Sequence, residues 1–102
     1  MSIISHTSPP YYVVIFTSIK TNSKIYSTIA EHVLEEAKKQ NGFLGFELAQ
    51  NEIGISVSYW SDLESIRVWK EQTLHKKAQA MAHYFYTHFR VRVCKVEREY
   101  GF

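Results

Sequence analysis

Apolar and polar residues alternate most regularly between positions 53 and 60. The apolar residues of this run are Ile53, Ile55, Val57 and Tyr59, which glycine and serine separate, and Trp60 ends it. A period of two is typical of a β-strand that buries one face. Serines beside a tryptophan on such a strand, close to a second tryptophan on the next predicted helix, indicate the wall of a pocket.

Three further segments have the pattern of strands. In residues 43–50 and in the residues from 88 onward, successive side chains alternate between two sets, as in a strand with two faces. Residues 11–18 are rich in aromatic and β-branched residues and contain no glycine or proline. Between the first two strands, apolar residues recur at helical spacing from Tyr26 to Ala37, which predicts an amphipathic helix.

The segment between the last two strands predicts a helix in two pieces. Ser61 and Glu64 have the spacing of a capping box, in which Ser61 begins the helix. The apolar stripe that ends in Trp69 is rotated by most of a right angle from the stripe that starts at Leu74, at about 100° per residue. We infer a break near Thr73, which aims Trp69 away from the main core.

The order of elements, β-α-β-β-α-β, predicts a ferredoxin-like α+β sandwich, in which both helices cover one face of a four-stranded antiparallel sheet. The positions expected beneath the helices are Leu44, Phe46, Leu48, Ile55, Val57, Tyr59, Phe89, Val91 and Val93. The other face then carries Phe43, Glu47, Ser56, Ser58, Trp60, His88, Arg90 and Arg92. Burying this mixed face fully would be unfavourable, so it must line a wet cavity or a dimer interface.

The composition is that of one small folded domain. The 102 residues are 45% hydrophobic and 15% aromatic, and a chain of this length has little core. We assign residues 11–102 to a single domain and residues 1–10 to a flexible N-terminal tail. A small aromatic-rich sheet often completes its burial by forming a homodimer, which we expect here.

Charge and cysteine content exclude several classes of protein. A formal net charge of +2, without a run of like charges, does not indicate a nucleic-acid partner. Cys94 is the single cysteine, so no intrachain disulfide can form. The chain starts without a secretion signal and has no apolar run near the roughly 18–20 residues of a membrane span, so we expect a cytoplasmic protein without a membrane partner. The histidines lack acidic partners at ligand spacing, and we expect no metal site.

Three segments in this order resemble the antibiotic biosynthesis monooxygenase domain family. They are Gly-Phe-Leu-Gly-Phe-Glu at 42–47, Ser-Tyr-Trp-Ser at 58–61 followed by Leu-Glu-Ser-Ile-Arg-Val-Trp at 63–69, and Arg-Val-Arg-Val at 90–93. The resemblance implies a dimeric α+β barrel, in which two ferredoxin-like subunits meet through their open sheet faces and each keeps a cleft between sheet and helices. The resemblance says little about the reaction, because proteins of the same fold include quinone-forming oxygenases, haem-degrading enzymes, isomerases and members without known activity.

The resemblance also implies site residues. Quinone-forming members carry a tryptophan on this helix and an arginine on the last strand, which Trp69 and either Arg90 or Arg92 match. Ser65 stands where the family has an asparagine, and His75 where it has a tyrosine. The predicted catalytic residues are Trp69, His75 and Arg90, and the predicted ligand-binding residues are Ser65, Trp60, Ser58 and Arg92.

Haem degradation is disfavoured by the same comparison. Haem-degrading members need an asparagine on the first strand and a histidine further along the chain after the tryptophan. Here Phe16 and Thr17 occupy the first place and Gln79 the second.

Each candidate also has a structural interpretation. Trp69 could be a packing residue, His75 a solvated residue at a helix start, and the two arginines could pair with glutamates on neighbouring strands. In the functional interpretation, the imidazole of His75 takes the phenolic proton of a substrate, and an arginine in the cleft holds a carboxylate or an enolate oxygen.

The absence of a phosphate-binding loop and of a dinucleotide fingerprint limits the chemistry. An oxygenase of this kind would work without flavin, metal or other cofactor, and its substrate would have to donate an electron to oxygen itself. The leading hypothesis is a cofactor-independent monooxygenase that acts on a small electron-rich aromatic or enolic compound. The alternative is a non-catalytic dimeric protein of the same fold that binds a small ligand or serves in stress.

Overall fold

A computed structural model describes residues 3–4, 7–21 and 26–102 of the protein, without the side chains of residues 26–29, 73–75 and 78. The elements in chain order are β1 Tyr11–Lys20, α1 Tyr26–Lys38, β2 Phe43–Gln50, β3 Gly54–Trp60, α2 Leu63–Lys70, α3 Thr73–Ala80, α4 Ala82–Phe85 and β4 Tyr86–Val96. None of the helices in the described residues has the length and apolar character needed to cross a membrane.

The strands form one four-stranded antiparallel sheet in the order β2-β3-β1-β4. This arrangement confirms the ferredoxin-like α+β fold. Three short helices, α2 to α4, take the place of the single second helix of the simplest plan. The predicted break near Thr73 is confirmed, because α2 ends at Lys70 and α3 begins at Thr73.

The face of β3 that lies under the helices carries its serines and its tryptophan. Val14 of β1 and Trp60 of β3 form the buried core with Ala37 of α1 and Ile66 of α2, so this face is the covered one. Residues directly opposite in an antiparallel sheet share a face, and Ser58 lies opposite Val14.

The prediction of which face of β3 the helices cover is therefore wrong. Ser56, Ser58 and Trp60 lie beneath the helices, and Ile55, Val57 and Tyr59 lie on the open face. The period of two identifies the two faces, but the rule that apolar residues point inward fails here because the covered face borders a cavity.

A bulge in β2 explains a second correction. The pairing of β2 with β3 shifts between Phe43 and Gly45, so that Phe43 lies opposite Trp60 and Phe46 opposite Ser58. An extra residue in one strand reverses the alternation beyond it. Phe43 thus packs against the core under the helices, with its ring 5.4 Å from that of Trp60, and not on the other face as expected.

The first turn of α2 is capped by Asp62, which corrects the predicted capping box at Ser61. Asp62 has an extended backbone, and its Oδ1 accepts a hydrogen bond of 2.7 Å from the backbone N–H of Ser65. That bond, with those from the hydroxyls of Ser61 and Ser65, lowers the pKa of the Asp62 carboxyl. Glu64 pairs with Arg67 instead, with an N–O distance of 2.5 Å.

A network of tyrosines and carboxylates covers one end of the open face. The Tyr59 hydroxyl donates to Glu47, which also accepts a bond of 2.9 Å from the backbone N–H of Ile4. The Tyr11 hydroxyl donates to Glu99 at 3.0 Å. Burial and these bonds to carboxylates raise the pKa of both phenols. These hydrogen bonds attach Ile4, which precedes the sheet, and Glu99, which follows it, to this end of the open face.

Candidate ligand-binding cleft

A cavity of about 520 Å³ lies between the covered face of the sheet and the helices. This volume is in the range of small-molecule sites. Its floor includes Val14, Phe16 and Ser18 of β1, Ser56 and Ser58 of β3, and Phe89, Val91 and Val93 of β4. Its roof includes Val33 and Ala37 of α1, Trp69 of α2, Gln79 of α3 and Phe85 at the end of α4.

Two of the contacts of Trp69 link it to α1 and to the sheet. Its Nε1 donates a hydrogen bond of 3.0 Å to the backbone carbonyl of Val33, and its ring lies 5.0 Å from that of Trp60 at an angle of 31°. The first contact joins α2 to α1 and the second joins α2 to the sheet. The half-buried Trp69 also lines the cavity, as expected for a helix that breaks shortly after this residue.

Trp60 lies behind Trp69 and supports it. Its side chain is fully buried, with 0% of its surface exposed, and its Nε1 donates a hydrogen bond of 2.8 Å to the Ser58 hydroxyl. The Ser58 side chain in turn lines the cavity. A polar residue on the floor thus satisfies the buried indole N–H.

Charge is scarce around the cavity. Of the described residues that line it, Lys70 is the one with a charged side chain, and that side chain is exposed. The lining otherwise consists of aliphatic and aromatic side chains with three serines and two glutamines. Such a surface suits a flat, mainly apolar molecule that carries few polar groups.

The structure brings together part of the predicted site. Trp69 and Ser58 line the cavity, and Trp60 packs directly behind Trp69. Ser65 lies at the start of α2, where the missing side chain of Gly42 leaves room for it: a Cβ on Gly42 would come within 2.7 Å of the Ser65 Cβ. The side chain of His75 lies outside the described residues.

The structure places neither predicted arginine in the cleft. Arg92 lies opposite Ile15 of β1 and Arg90 opposite Thr17, which puts both on the open face of the sheet. The covered face of β4 carries Phe89, Val91 and Val93, as predicted. The register of β4 thus confirms the face that the alternation predicted for both arginines, and it corrects the place beside the ligand that the family resemblance implied.

The contribution of β1 to the floor was not predicted from the sequence. Val14, Phe16 and Ser18 line the cavity, while Val13, Ile15 and Thr17 alternate with them on the open face. Both sets are mainly apolar, so no alternation in this strand could assign the faces. The one available signal was Ser18 itself, a polar residue that ends an apolar run.

The cleft shows no metal-binding geometry in the described part of the chain. No three side chains of histidine, cysteine, aspartate or glutamate converge there as metal ligands would.

Comparison with known proteins places the chain in a family. It is 39% identical over 104 residues to the uncharacterized protein YqjZ of Bacillus subtilis (strain 168), and the alignment covers 97% of this chain and 91% of YqjZ. No protein-family profile matches the sequence.

Solved structures share the fold at low sequence identity. SnoaB, a cofactor-independent oxygenase from Streptomyces nogalater, superposes with a TM-score of 0.74 at 9% identity over 89% of this chain and 97% of SnoaB. A Caulobacter crescentus CB15 protein, whose name assigns it provisionally to the antibiotic biosynthesis monooxygenases, superposes with a TM-score of 0.70 at 10% identity over 85% of this chain and 90% of its own. The chain therefore belongs to the family of YqjZ, and its fold is that of the antibiotic biosynthesis monooxygenases.

Proposed function

We propose that this protein binds a small electron-rich aromatic or enolic compound in the cleft and oxygenates it without a cofactor. The observation that carries the proposal is the apolar cavity of about 520 Å³ with the indole of Trp69 in its wall. A flat ring can stack on an indole, and an apolar ring gains free energy from burial in such a site. The fold shared with SnoaB, which is a cofactor-independent oxygenase, supports the same reaction class.

The reaction we propose converts a methylene carbon next to a phenol into a carbonyl. Loss of a proton leaves a carbanion that transfers electrons to molecular oxygen, a peroxide forms at that carbon, and loss of water leaves the carbonyl. One oxygen atom enters the product and the other leaves as water, so the substrate supplies all of the electrons. An apolar cavity favours this sequence because it limits the access of bulk water to the reactive carbon.

His75 is the proposed base. Its backbone position on α3 precedes Gln79 by four residues, and Gln79 lines the cavity. Residues four apart lie on the same side of a helix. An imidazole that titrates near neutral pH is suited to take up a phenolic or carbon-bound proton.

Oxygen uptake with a panel of anthrones and hydroquinones tests the proposal. We expect uptake above the buffer rate with at least one compound, and a fall of about 10²-fold or more in His75→Gln, the typical contribution of a general base. His32→Gln, a change at an exposed position of α1, is the matched control and should leave the rate unchanged. Buffer-rate uptake with every compound would contradict the oxygenase.

A non-catalytic ligand-binding protein is the second candidate. The observation in its favour is that the described cavity lining holds neither a carboxylate nor an arginine, so a developing negative charge would meet few stabilising groups. The same panel separates the two candidates. Saturable binding of a panel compound without oxygen uptake would support the binding protein.

We also propose that two copies of the chain associate through the open face of the sheet. This face carries Ile15, Ile55 and Val57 beside Arg90 and Arg92. Ile55 is 43% exposed although it lies in an inner strand of the sheet. A second sheet stacked on this face would bury these apolar residues and leave both clefts open on the outside.

A further inference from the structure

The hydroxyl of Ser18 is a buried polar group for which the described protein offers no partner. Only 5% of the residue is exposed, and it lies on the floor of the cavity. No hydrogen bond from its Oγ occurs within the described residues, in contrast to Ser58, whose Oγ accepts from Trp60. A buried hydroxyl without a partner is unfavourable, so a ligand group that enters the cavity would gain by binding it.

A second polar group borders the same end of the cavity. Ser18 lies opposite Gly54 in the sheet, and the side chain of Gln50 folds over that glycine, where an added Cβ would lie 2.5 Å from its Oε1. The Nε2 of Gln50 donates to the backbone carbonyl of Asn51 at 2.8 Å, which leaves its carbonyl oxygen as an acceptor beside the cavity. A hydroxyl can donate one hydrogen bond and accept another, which matches this pair.

Both groups of this pair are uncharged. Among the described residues that line the cavity, Lys70 is the one with a charged side chain, and that side chain is exposed. An ionised group buried between Ser18 and Gln50 would lose its hydration and meet two uncharged partners, which is strongly unfavourable. The ligand group at this end must be neutral.

We infer that Ser18 and Gln50 form a hydroxyl-binding subsite, and that the cleft takes a fused-ring compound with one uncharged phenolic hydroxyl at this end. This inference rests on the proposed function, because it assumes that the cavity holds the ligand. It adds the orientation of the ring: the hydroxyl lies near the β2–β3 turn and the opposite edge lies toward Trp69. It also makes Ser18 a determinant of ligand selectivity.

Binding of three matched compounds tests the subsite. The three compounds share one ring system and differ in one substituent. Naphthalene carries no polar group, 2-naphthol carries a neutral hydroxyl and 2-naphthoate carries a carboxylate. Their dissociation constants can be measured from amide chemical shifts in nuclear magnetic resonance titrations. We expect 2-naphthol to bind roughly three- to ten-fold more tightly than naphthalene, the net worth of one hydrogen bond, and 2-naphthoate to bind more weakly than 2-naphthol.

Variants assign the preference to Ser18. Ser18→Ala should remove the advantage of 2-naphthol and leave the affinity for naphthalene unchanged. Thr17→Val is the matched control, because it removes a hydroxyl of similar size from the next residue on the opposite face of β1, and it should keep the advantage. Without ligand, Ser18→Ala should melt at the same temperature as the original protein or higher, since it removes a hydroxyl without a partner.

Three results would overturn the subsite. They are equal affinities for 2-naphthol and naphthalene, a preference that survives Ser18→Ala, and tightest binding of 2-naphthoate that Lys70→Gln abolishes and Ser18→Ala does not. Each leaves the cavity as a binding site. Buffer-rate oxygen uptake with all anthrones and hydroquinones contradicts the oxygenase alone, so the two failures are distinguishable.

Discussion

At the scale of single residues, Trp69 has both a structural and a ligand-facing role. A tryptophan that only packs in the core would be fully buried. A tryptophan that only contacts the ligand could be replaced with little loss of stability. The observed indole donates its N–H to the Val33 carbonyl on α1 and packs on Trp60, while part of its surface faces the cavity. Its replacement should therefore change both stability and binding.

Trp69→Phe should lower the free energy of unfolding by about 1–2 kcal/mol, because it removes the hydrogen bond from the indole to the Val33 carbonyl and makes the ring smaller. Trp69→Ala should cost more, but less than the roughly 3–5 kcal/mol of a fully buried tryptophan. Urea unfolding measures both values. Binding of 2-naphthol should weaken in each variant.

Trp60→Phe is the control for this prediction. Trp60 is fully buried and lies behind the cavity wall, so its replacement should lower stability through the lost bond to Ser58 and affect ligand affinity less than Trp69→Phe does. Equal losses of affinity in the two variants would show that Trp69 acts by packing alone.

At the scale of elements, the short helix α2 depends on its cap. It has only eight residues, and helices of this length gain little from their own hydrogen bonds. The Asp62 carboxylate accepts the Ser65 N–H and lies close to Gly42, where a Cβ would come within 2.6 Å of Oδ2. The cap thus fixes the start of the helix that carries Trp69 to the loop before β2.

Asp62→Ala should lower the free energy of unfolding by about 1 kcal/mol near neutral pH, the usual effect of losing an N-cap. Folding lowers the pKa of this carboxyl, so its contribution is complete above the unfolded pKa of about 3.9 and is lost as pH falls from there toward the folded value. The difference between Asp62→Ala and the original protein should shrink below about pH 4. Urea unfolding between pH 7 and pH 3 measures it.

Asp62→Asn and Ser61→Ala complete this experiment. Asparagine keeps a cap acceptor without the charge and should cost only a few tenths of a kcal/mol. Ser61→Ala removes the residue that the sequence pattern favoured as the cap, and it should cost less than Asp62→Ala. A larger loss in Ser61→Ala would restore the predicted capping box.

The elements were predictable from local pattern, and the faces of β3 and of Phe43 were not. Strand β3 and the helix break near Thr73 follow from periodicity, which reports local geometry. The side on which Ser58 lies depends on a cavity between layers, and the side on which Phe43 lies depends on a bulge in β2. These two features arise from tertiary contacts, and a single sequence does not encode them in its period. The faces of β4 do follow from its alternation, and Arg90 lies on the open face as that pattern predicted.

At the scale of the whole molecule, the sheet has two unlike faces. The covered face holds the cleft, and the open face keeps an apolar centre. Ile4, Glu47 and the two tyrosines cover one end of the open face, while Ile55 remains 43% exposed. The open face is more apolar than the alternation in β3 predicted, because Ser56 and Ser58 lie under the helices and Ile55 and Val57 take their place.

This exchange of residues strengthens the expectation of a dimer, and sedimentation equilibrium at micromolar concentration tests it. The mass should be twice the 12.0 kDa of the chain. Val57→Lys places a charge at the centre of the open face and should give the monomer, because an unpaired ammonium in an apolar interface is strongly unfavourable. Leu63→Lys, a change of the same kind at an exposed position of α2, should remain dimeric. Since each cleft lies within one chain, the Val57→Lys monomer should still bind 2-naphthol. A 12.0 kDa species in the unaltered protein would contradict the proposed interface.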